Sequence, residues 1–449
     1  MITILGGGIS GLSTSYHLGH ENCIIFEKKN YIGGHVYSYT KDGFTWDEGP
    51  HVSFTKHEYV KNLFQKSVNS EFLQFPVTIT NYYHGSWIPH PAQSNLYAIP
   101  QPLRDQVLAD FLSSRNNAKT NPADFEEWLV MAFGKTFAEN FPRAYTKKYW
   151  TDDPKNLTTD WVGDRVFYPA IDDVKNGYLG PLKRQTHYIT EVRYPKAGGY
   201  LSFSYELTKG ANIHLNKKVT LLSFREKKIH FSDGTIHDFD ELISTIPLPE
   251  LIEISDAPED IKTTARSLNY SSLLLVNVVA NHMSVQPYHW LYVYDLEKYS
   301  TRITCTESLS PLNGKPHQTG IQVEIYFSNS KQKLELDEVI AGKVCEELVE
   351  MGLIREKHNI LNMHTRWAPW ANVIFDHSRR KKQEMIFNWL EQFGLSREQD
   401  DLDPMTNWVS KADEQVKLGK LVLAGRFAQW KYFWSDDCVL RGKTIAEKK

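Results

Sequence analysis

The stretch Ile2-Thr3-Ile4-Leu5-Gly6-Gly7-Gly8-Ile9-Ser10-Gly11, continued by Leu12 to Leu18 and then Cys23-Ile24-Ile25-Phe26-Glu27, decides the fold. Ile2 to Leu5, three apolar residues and a β-branched threonine, read as a short buried strand. The glycines read as a tight turn opening a helix, and Cys23–Phe26 as a second strand ending at an acid. Such a G-x-G-x-x-G turn lets backbone amides approach a pyrophosphate at a helix N-terminus. Glu27 stands 19 residues after Gly8, where a carboxylate accepts hydrogen bonds from ribose hydroxyls. A dinucleotide is therefore the expected ligand, and these residues alone leave NAD and FAD both open.

The rest of the chain reads outward from that start. At about 100–200 residues per domain, 449 residues allow two or three domains. Fifty-one Lys and Arg nearly balance 54 Asp and Glu, which gives no electrostatic footprint for nucleic acid. Cys23, Cys305, Cys345 and Cys438 are too far apart for metal or redox spacing, so no metal site and a reducing, cytoplasmic setting are expected. No apolar run reaches the roughly 18 residues of a membrane span, and no signal peptide is legible. Leu103 to Trp150 has helical periodicity, and 212–246 reads as a hairpin followed by the buried strand Leu242–Ile246. Strands are expected over 271–330, charged helix over 331–394, a strand at Leu421–Leu423 and a closing helix from Cys438. Arg379-Arg380-Lys381-Lys382 reads as a solvated helix face.

After Glu27 comes a second glycine pair, Gly33-Gly34-His35. This resembles flavoproteins of the glutathione-reductase-like and amine-oxidase-like superfamily. Phe44-Thr45-Trp46-Asp47-Glu48-Gly49-Pro50-His51 resembles their strand that reaches the flavin ring, and Gly425-Arg426 their closing flavin motif. The resemblance implies FAD, held by Gly6, Gly8, Ile9, Ser10, Gly11, Glu27, Lys28, Gly33, Gly34, His35, Gly49, Pro50, His51, Val219, Thr245, Gly425, Arg426 and Asp436.

Further segments narrow it. Gly85-Ser86-Trp87-Ile88-Pro89-His90-Pro91-Ala92-Gln93-Ser94-Asn95, Asp160-Trp161-Val162-Gly163-Asp164-Arg165, Trp290-Leu291-Tyr292 with Arg302, and Gly425 to Tyr432 resemble UDP-galactopyranose mutase, its eukaryotic-type branch in particular. That resemblance implies a redox-neutral reaction on a nucleoside diphosphate sugar for surface glycans such as lipopolysaccharide. N5 of reduced FAD is then the nucleophile at the anomeric carbon, and NAD(P)H or another donor keeps the flavin reduced. It assigns catalysis to His51, Arg165 and Arg302. Substrate contacts fall to Gln93, Phe141, Thr146, Trp150, Arg165, Tyr292, Arg302 and Tyr432. Two arginines suit a diphosphate because guanidinium offers planar, charge-assisted donors.

The implied architecture is α/β. A Rossmann-type, glutathione-reductase-like FAD domain takes residues 1–95, 190–250 and 405–449. A helical insertion takes 96–189, and an antiparallel substrate sheet 251–404. Ala92, Leu309 and Ala371 depart from the mutase pattern and are expected to alter the substrate contacts. Two other readings stand beside the mutase: an amine-oxidase-like or protoporphyrinogen-oxidase-like oxidoreductase, and a non-catalytic flavoprotein. No interface signature marks an oligomeric state.

Overall fold

The structure, a computed structural model, describes residues 1–116, 121–182 and 189–449; the side chains of Asn116 and Asp164 also lie outside the description. Its first layer is a five-stranded parallel sheet ordered Leu421–Leu423, Leu242–Ser244, Ile2–Leu5, Cys23–Phe26, Ile213–His214. Ile2–Leu5 lies at its centre, with Thr3 opposite Leu242 on one side and Ile24 on the other. A central parallel strand is covered on both faces, which is why the run carries no alternation of polar residues. The hairpin falls where its turn residues put it, with Lys228–Phe231 antiparallel to Ile236–Asp238 across Asp233 and Gly234.

The second layer is a seven-stranded sheet, antiparallel except for one pair. Its order is Ile360–Val373, Tyr270–Ala280, Thr319–Phe327, Arg302–Cys305, Trp290–Val293, Ile79–Tyr83, Ser86–Pro89. Two expectations change here. The sequence assigns residues up to 95 to the dinucleotide domain, but 79–89 pair into this sheet, Ile79 running parallel beside Trp290. The stretch 331–394 reads as helical, yet only Asp337–Glu350 and Arg379–Glu391 are long helices. Between them lies the 14-residue strand Ile360–Val373. It tolerates Pro369 because it is an edge strand, where a missing N–H breaks no ladder.

A helical layer is made of Leu103–Asn116, Phe125–Phe133, Lys135–Asn140, Pro142–Tyr149 and Ile171–Leu179. Asp124 caps the second of these by accepting from the Glu127 N–H at 2.9 Å. Arg379, expected in solvent, is instead buried and pairs with Asp160 at 3.1 Å. Among the described residues no helix is long and apolar enough to cross a membrane.

The closing helix Ser435–Lys448 lies against the opening helix Ile9–Leu18. Their approach is so close that a Cβ on Gly442 would stand 2.4 Å from Ser13 Oγ and 2.6 Å from Thr14 N. The buried Arg441 ties the same helix to Glu398 with two bonds of 2.9 and 2.6 Å. Burial opposes ionisation of Glu398, but Arg441 and Lys411 outweigh it and hold its carboxyl down at about 2.

Gly442→Ala is expected to cost about 1–3 kcal/mol, because the methyl meets backbone that cannot yield. Gly342, inside Asp337–Glu350 with open space around it, is the control. There an alanine is expected to be neutral or to stabilise by up to about 1 kcal/mol. Thermal unfolding of the two variants beside wild type checks both.

Candidate functional site

Each glycine of the opening turn has its own physical reason. Gly6 has φ +102°, and a Cβ there would stand 2.4 Å from Thr245 Oγ1. A Cβ on Gly11 would stand 2.1 Å from the Gly6 carbonyl oxygen, so the helix could not close onto the turn. Gly8 is different. Its backbone is extended (φ −75°, ψ 173°), and no atom lies nearer than 3.8 Å to a Cβ built on it. The protein alone would accept a side chain at Gly8, and what that methyl would fill is the space at the helix N-terminus. Glu27 accepts from the Gly7 N–H at 2.7 Å and from the Lys29 N–H at 2.8 Å, which fixes its carboxylate at the strand end. The second glycine pair docks on the first turn, Gly33 N–H donating to Gly7 O at 2.9 Å.

A cavity of about 610 Å³ runs from this turn to the seven-stranded sheet. Of the residues expected at the site, all line it except three. Gly11 and Gly425 stand behind the wall, where they permit close packing. Phe141 is fully buried against Tyr83, Phe137 and Tyr294, and is a packing residue. Two of the three altered positions move away as well. Ala92 and Leu309 belong to the packed core, and Ala371 alone of the three faces the cavity.

At the sheet end, Arg302 and Glu324 are direct cross-strand neighbours. Arg302 donates through Nε and Nη2 (2.8 Å for the latter) to the two oxygens of Glu324, a carboxylate only 1% exposed. Burial disfavours the Arg302 charge, but the facing carboxylate more than offsets it and raises its pKa above the ordinary value. Tyr145, Tyr149, Tyr292 and Tyr326 line the same end. The loop Gly49-Pro50-His51 meets it from the dinucleotide side: a Cβ on Gly49 would stand 3.0 Å from Glu324 Oε1. His51 Nδ1 lies 2.7 Å from the Gly49 carbonyl, which fixes Nδ1 as the N–H and leaves Nε2 the lone pair. Burial pushes the His51 pKa down to about 4 and that of His35 down to about 3, so both are neutral near pH 7. Arg165 packs its guanidinium against the rings of Trp434 and Tyr432, 3.7 and 4.2 Å from their centres.

Sequence reasoning missed Glu324, Tyr326 and Trp434, and reached Tyr145 and Tyr149 only as members of a segment, Tyr145 to Trp150, that resembles the mutases' helix beside the substrate. For Glu324 the sequence misleads: Gln322 and Glu324 alternate with Ile321, Val323 and Ile325, the pattern of a strand with one face in solvent, and only the structure shows the run buried throughout, where an ionisable residue needs a partner.

The dinucleotide end fits a bound pyrophosphate. Arg426 lines the cavity and, among the described residues, has no carboxylate within ion-pair distance. It donates to Asn372 Oδ1 at 2.5 Å and to Phe433 O at 3.4 Å, and its buried Nε has no hydrogen-bond partner among the described residues. A half-buried guanidinium with no carboxylate partner among the described residues, beside open space at a helix N-terminus, is a donor set for an anion. Together with Glu27 at the end of the second strand, this defines a dinucleotide-binding protein of flavoprotein type.

The family is more definite. The chain belongs to the flavin-containing amine oxidoreductases, whose family model matches residues 9–448, and its cofactor is FAD. Among curated relatives, the 4,4'-diapophytoene desaturase (4,4'-diaponeurosporene-forming) of Staphylococcus aureus (strain Newman) is 39% identical over 287 residues, a match taking in 56% of each chain. This chain thus spans about half the length of the curated relatives it matches. Among solved structures, reduced UDP-galactopyranose mutase has the same fold with a TM-score of 0.86 at 20% identity, covering 98% of this chain and 92% of that one. The CLA-producing fatty acid isomerase of P. acnes matches with a TM-score of 0.64 at 13% identity, over 99% and 97% of the two chains.

Two outcomes test this site. Gly8→Ala is expected to leave the apoprotein as stable as wild type, within about 0.5 kcal/mol, while weakening FAD binding about tenfold or more. Thermal unfolding of apoprotein and FAD titration separate the two effects. The pH dependence is the second. The folded chain refuses a proton that unfolded His51 takes below about pH 6.5. His51 therefore subtracts stability as pH falls from about 6.5 to about 4. Asp47 and Asp437, pushed up by burial to about 6, give the opposite slope. The difference between wild type and His51→Gln in denaturant midpoint, followed down to about pH 5, isolates His51. The gap between them is expected to narrow with acid.

Proposed function

We propose that this flavoenzyme interconverts the pyranose and furanose forms of a nucleoside diphosphate sugar with no net oxidation. The observation that carries the reading is the meeting of Arg165 and Arg302, from distant parts of the chain, in one cavity with the Gly49-Pro50-His51 loop. A leaving diphosphate develops negative charge, and fixed cations in a water-poor site stabilise it at little reorganisation cost. What FAD supplies when bound, in its reduced form, is a nucleophilic ring nitrogen.

The chain's own groups would do the rest. Tyr292 Oη accepts from Trp290 Nε1 at 3.0 Å, which leaves its own O–H to donate to a phosphate oxygen. Glu324 keeps Arg302 charged and its fork in one orientation. Neutral His51 lines the cavity with its Nε2 lone pair unused by the Gly49 bond, and in this reading that lone pair accepts from a sugar hydroxyl. Gln93, Thr146, Trp150 and Tyr432 complete the substrate wall in this reading. All four cysteines are free and buried, which suits a reducing, cytoplasmic setting.

A flavin oxidoreductase acting on an apolar substrate is the second reading. The desaturase relatives and the aromatic cavity walls favour it. The half-buried Arg302, paired with buried Glu324, weighs against it, because a hydrocarbon pressed onto that end would offer the guanidinium no hydrogen bond.

The test is anaerobic. FAD-loaded protein reduced with dithionite is incubated with UDP-galactopyranose and a panel of other nucleotide sugars, and products are read by chromatography and NMR. An isomer of equal mass, formed only with reduced flavin, is the expected result. Arg302→Ala would strand the Glu324 carboxylate and cost about 3–5 kcal/mol of stability. Arg302→Lys is therefore the cleaner variant: it keeps a cation there, loses the bidentate fork, and is expected to lower kcat about 10²-fold. No isomer from any sugar, with dehydrogenation of an apolar polyene by oxidised enzyme, would transfer the assignment to the second reading.

A further inference from the structure

Arg165 is held by an arrangement that belongs to this chain's own closing segment. Its Nη2 donates to the Tyr432 carbonyl at 2.5 Å, and its Nε lies 3.3 Å from Met405 Sδ. Asp437 stands 4.0 Å away, at the limit of an ion pair. Of the two rings it packs on, the nearer is that of Trp434, at 3.7 Å. Trp434 is itself fixed. Phe54 meets it edge-on with ring centres 4.8 Å apart. Its backbone N–H donates to Asp437 Oδ2 at 2.7 Å, and Asp437 also accepts from Trp408 Nε1 at 2.8 Å. Both Arg165 and Trp434 line the cavity.

An arginine side chain has four rotatable bonds, and freezing them on binding an anion costs conformational entropy. A guanidinium already lying on a rigid ring face has met that cost before the ligand arrives. Tryptophan gives the strongest such cation–π contact. Alanine or leucine at 434 would leave the Arg165 charge and its Tyr432 contacts in place and remove the nearer ring face, loosening its orientation.

We propose that Trp434 is a positioning residue, whose ring holds the Arg165 guanidinium in the orientation that meets the substrate's diphosphate. This rests on the nucleoside diphosphate reading above.

The test is calorimetric titration of oxidised, FAD-loaded protein with UDP and, separately, with inorganic pyrophosphate. Trp434→Leu is expected to weaken both about tenfold. Trp434→Phe keeps a ring face and is expected to stay within about threefold of wild type. The flavin absorbance spectrum is expected to be unchanged in both. In an Arg165→Lys background the Leu substitution is expected to change affinity less than about twofold, since the group it orients is gone. Wild-type affinity in Trp434→Leu would overturn the inference and leave the mutase reading standing. So would equal losses in the Phe and Leu variants, or a full tenfold loss persisting in the Arg165→Lys background. Failure of the wild-type protein to bind either UDP or pyrophosphate would overturn the nucleoside diphosphate reading itself, and the inference with it.

Discussion

The helix Ile9–Leu18 is gripped at three glycines where a methyl group would meet atoms at well under van der Waals distance. Gly11 lies on the Gly6 carbonyl, Gly425 on Ser10, and Gly442 on Ser13 and Thr14. These glycines come from both ends of the chain. Their contacts pull the closing strand and helix against the opening ones, and so aim the N-terminus of Ile9–Leu18 into the cavity. A close-packed backbone contact has few ways to relax, which makes it a good fixed point for a site built elsewhere. The dinucleotide end of the cavity inherits its shape from this grip.

The other end depends on strand register. Arg302 and Glu324 face each other because Arg302–Cys305 and Thr319–Phe327 pair antiparallel at that position. A slip of one residue would turn both side chains to the opposite face. The result is a charged pair with a ring of phenols in a region otherwise walled by aromatic groups. A buried ion pair is weak evidence for stability, since desolvation takes back much of the attraction. Its value here is directional: one carboxylate, which also faces the loop at Gly49, holds the guanidinium in a single orientation. Similar folds carry the names of a mutase and an isomerase, and a sequence relative carries that of a desaturase, so fold alone leaves the chemistry open.

Much of this was legible in the residues, and what was not has identifiable causes. The strand, the three-glycine turn, Glu27 and the second glycine pair all appear as read, because local sterics leave a G-x-G-x-x-G turn few alternatives. The hairpin around Asp233-Gly234 was legible for the same reason. The strand Ile360–Val373 was not: its burial pattern is irregular because it is an edge, so neither period stands out. Arg379 looked like part of a solvated basic run, and only the fold brings Asp160 to it. Ala92 and Leu309 looked like altered contacts, yet they pack in the core, since a position's place in a motif says nothing of which way its side chain turns.

By itself, the sequence determined the class of ligand at one end of the cavity. Apart from Arg426, the groups expected to hold a pyrophosphate and a ribose there lie within one continuous stretch of strand, turn, helix and strand, and short-range geometry is written in neighbouring residues. Only the tertiary structure decided the other end. Arg165, Arg302, Glu324 and Trp434 come from separate segments. Their meeting is set by sheet register and by helix packing against Ile9–Leu18. Both are long-range consequences of burying two sheets and a helical layer together, and no local run of residues carries them.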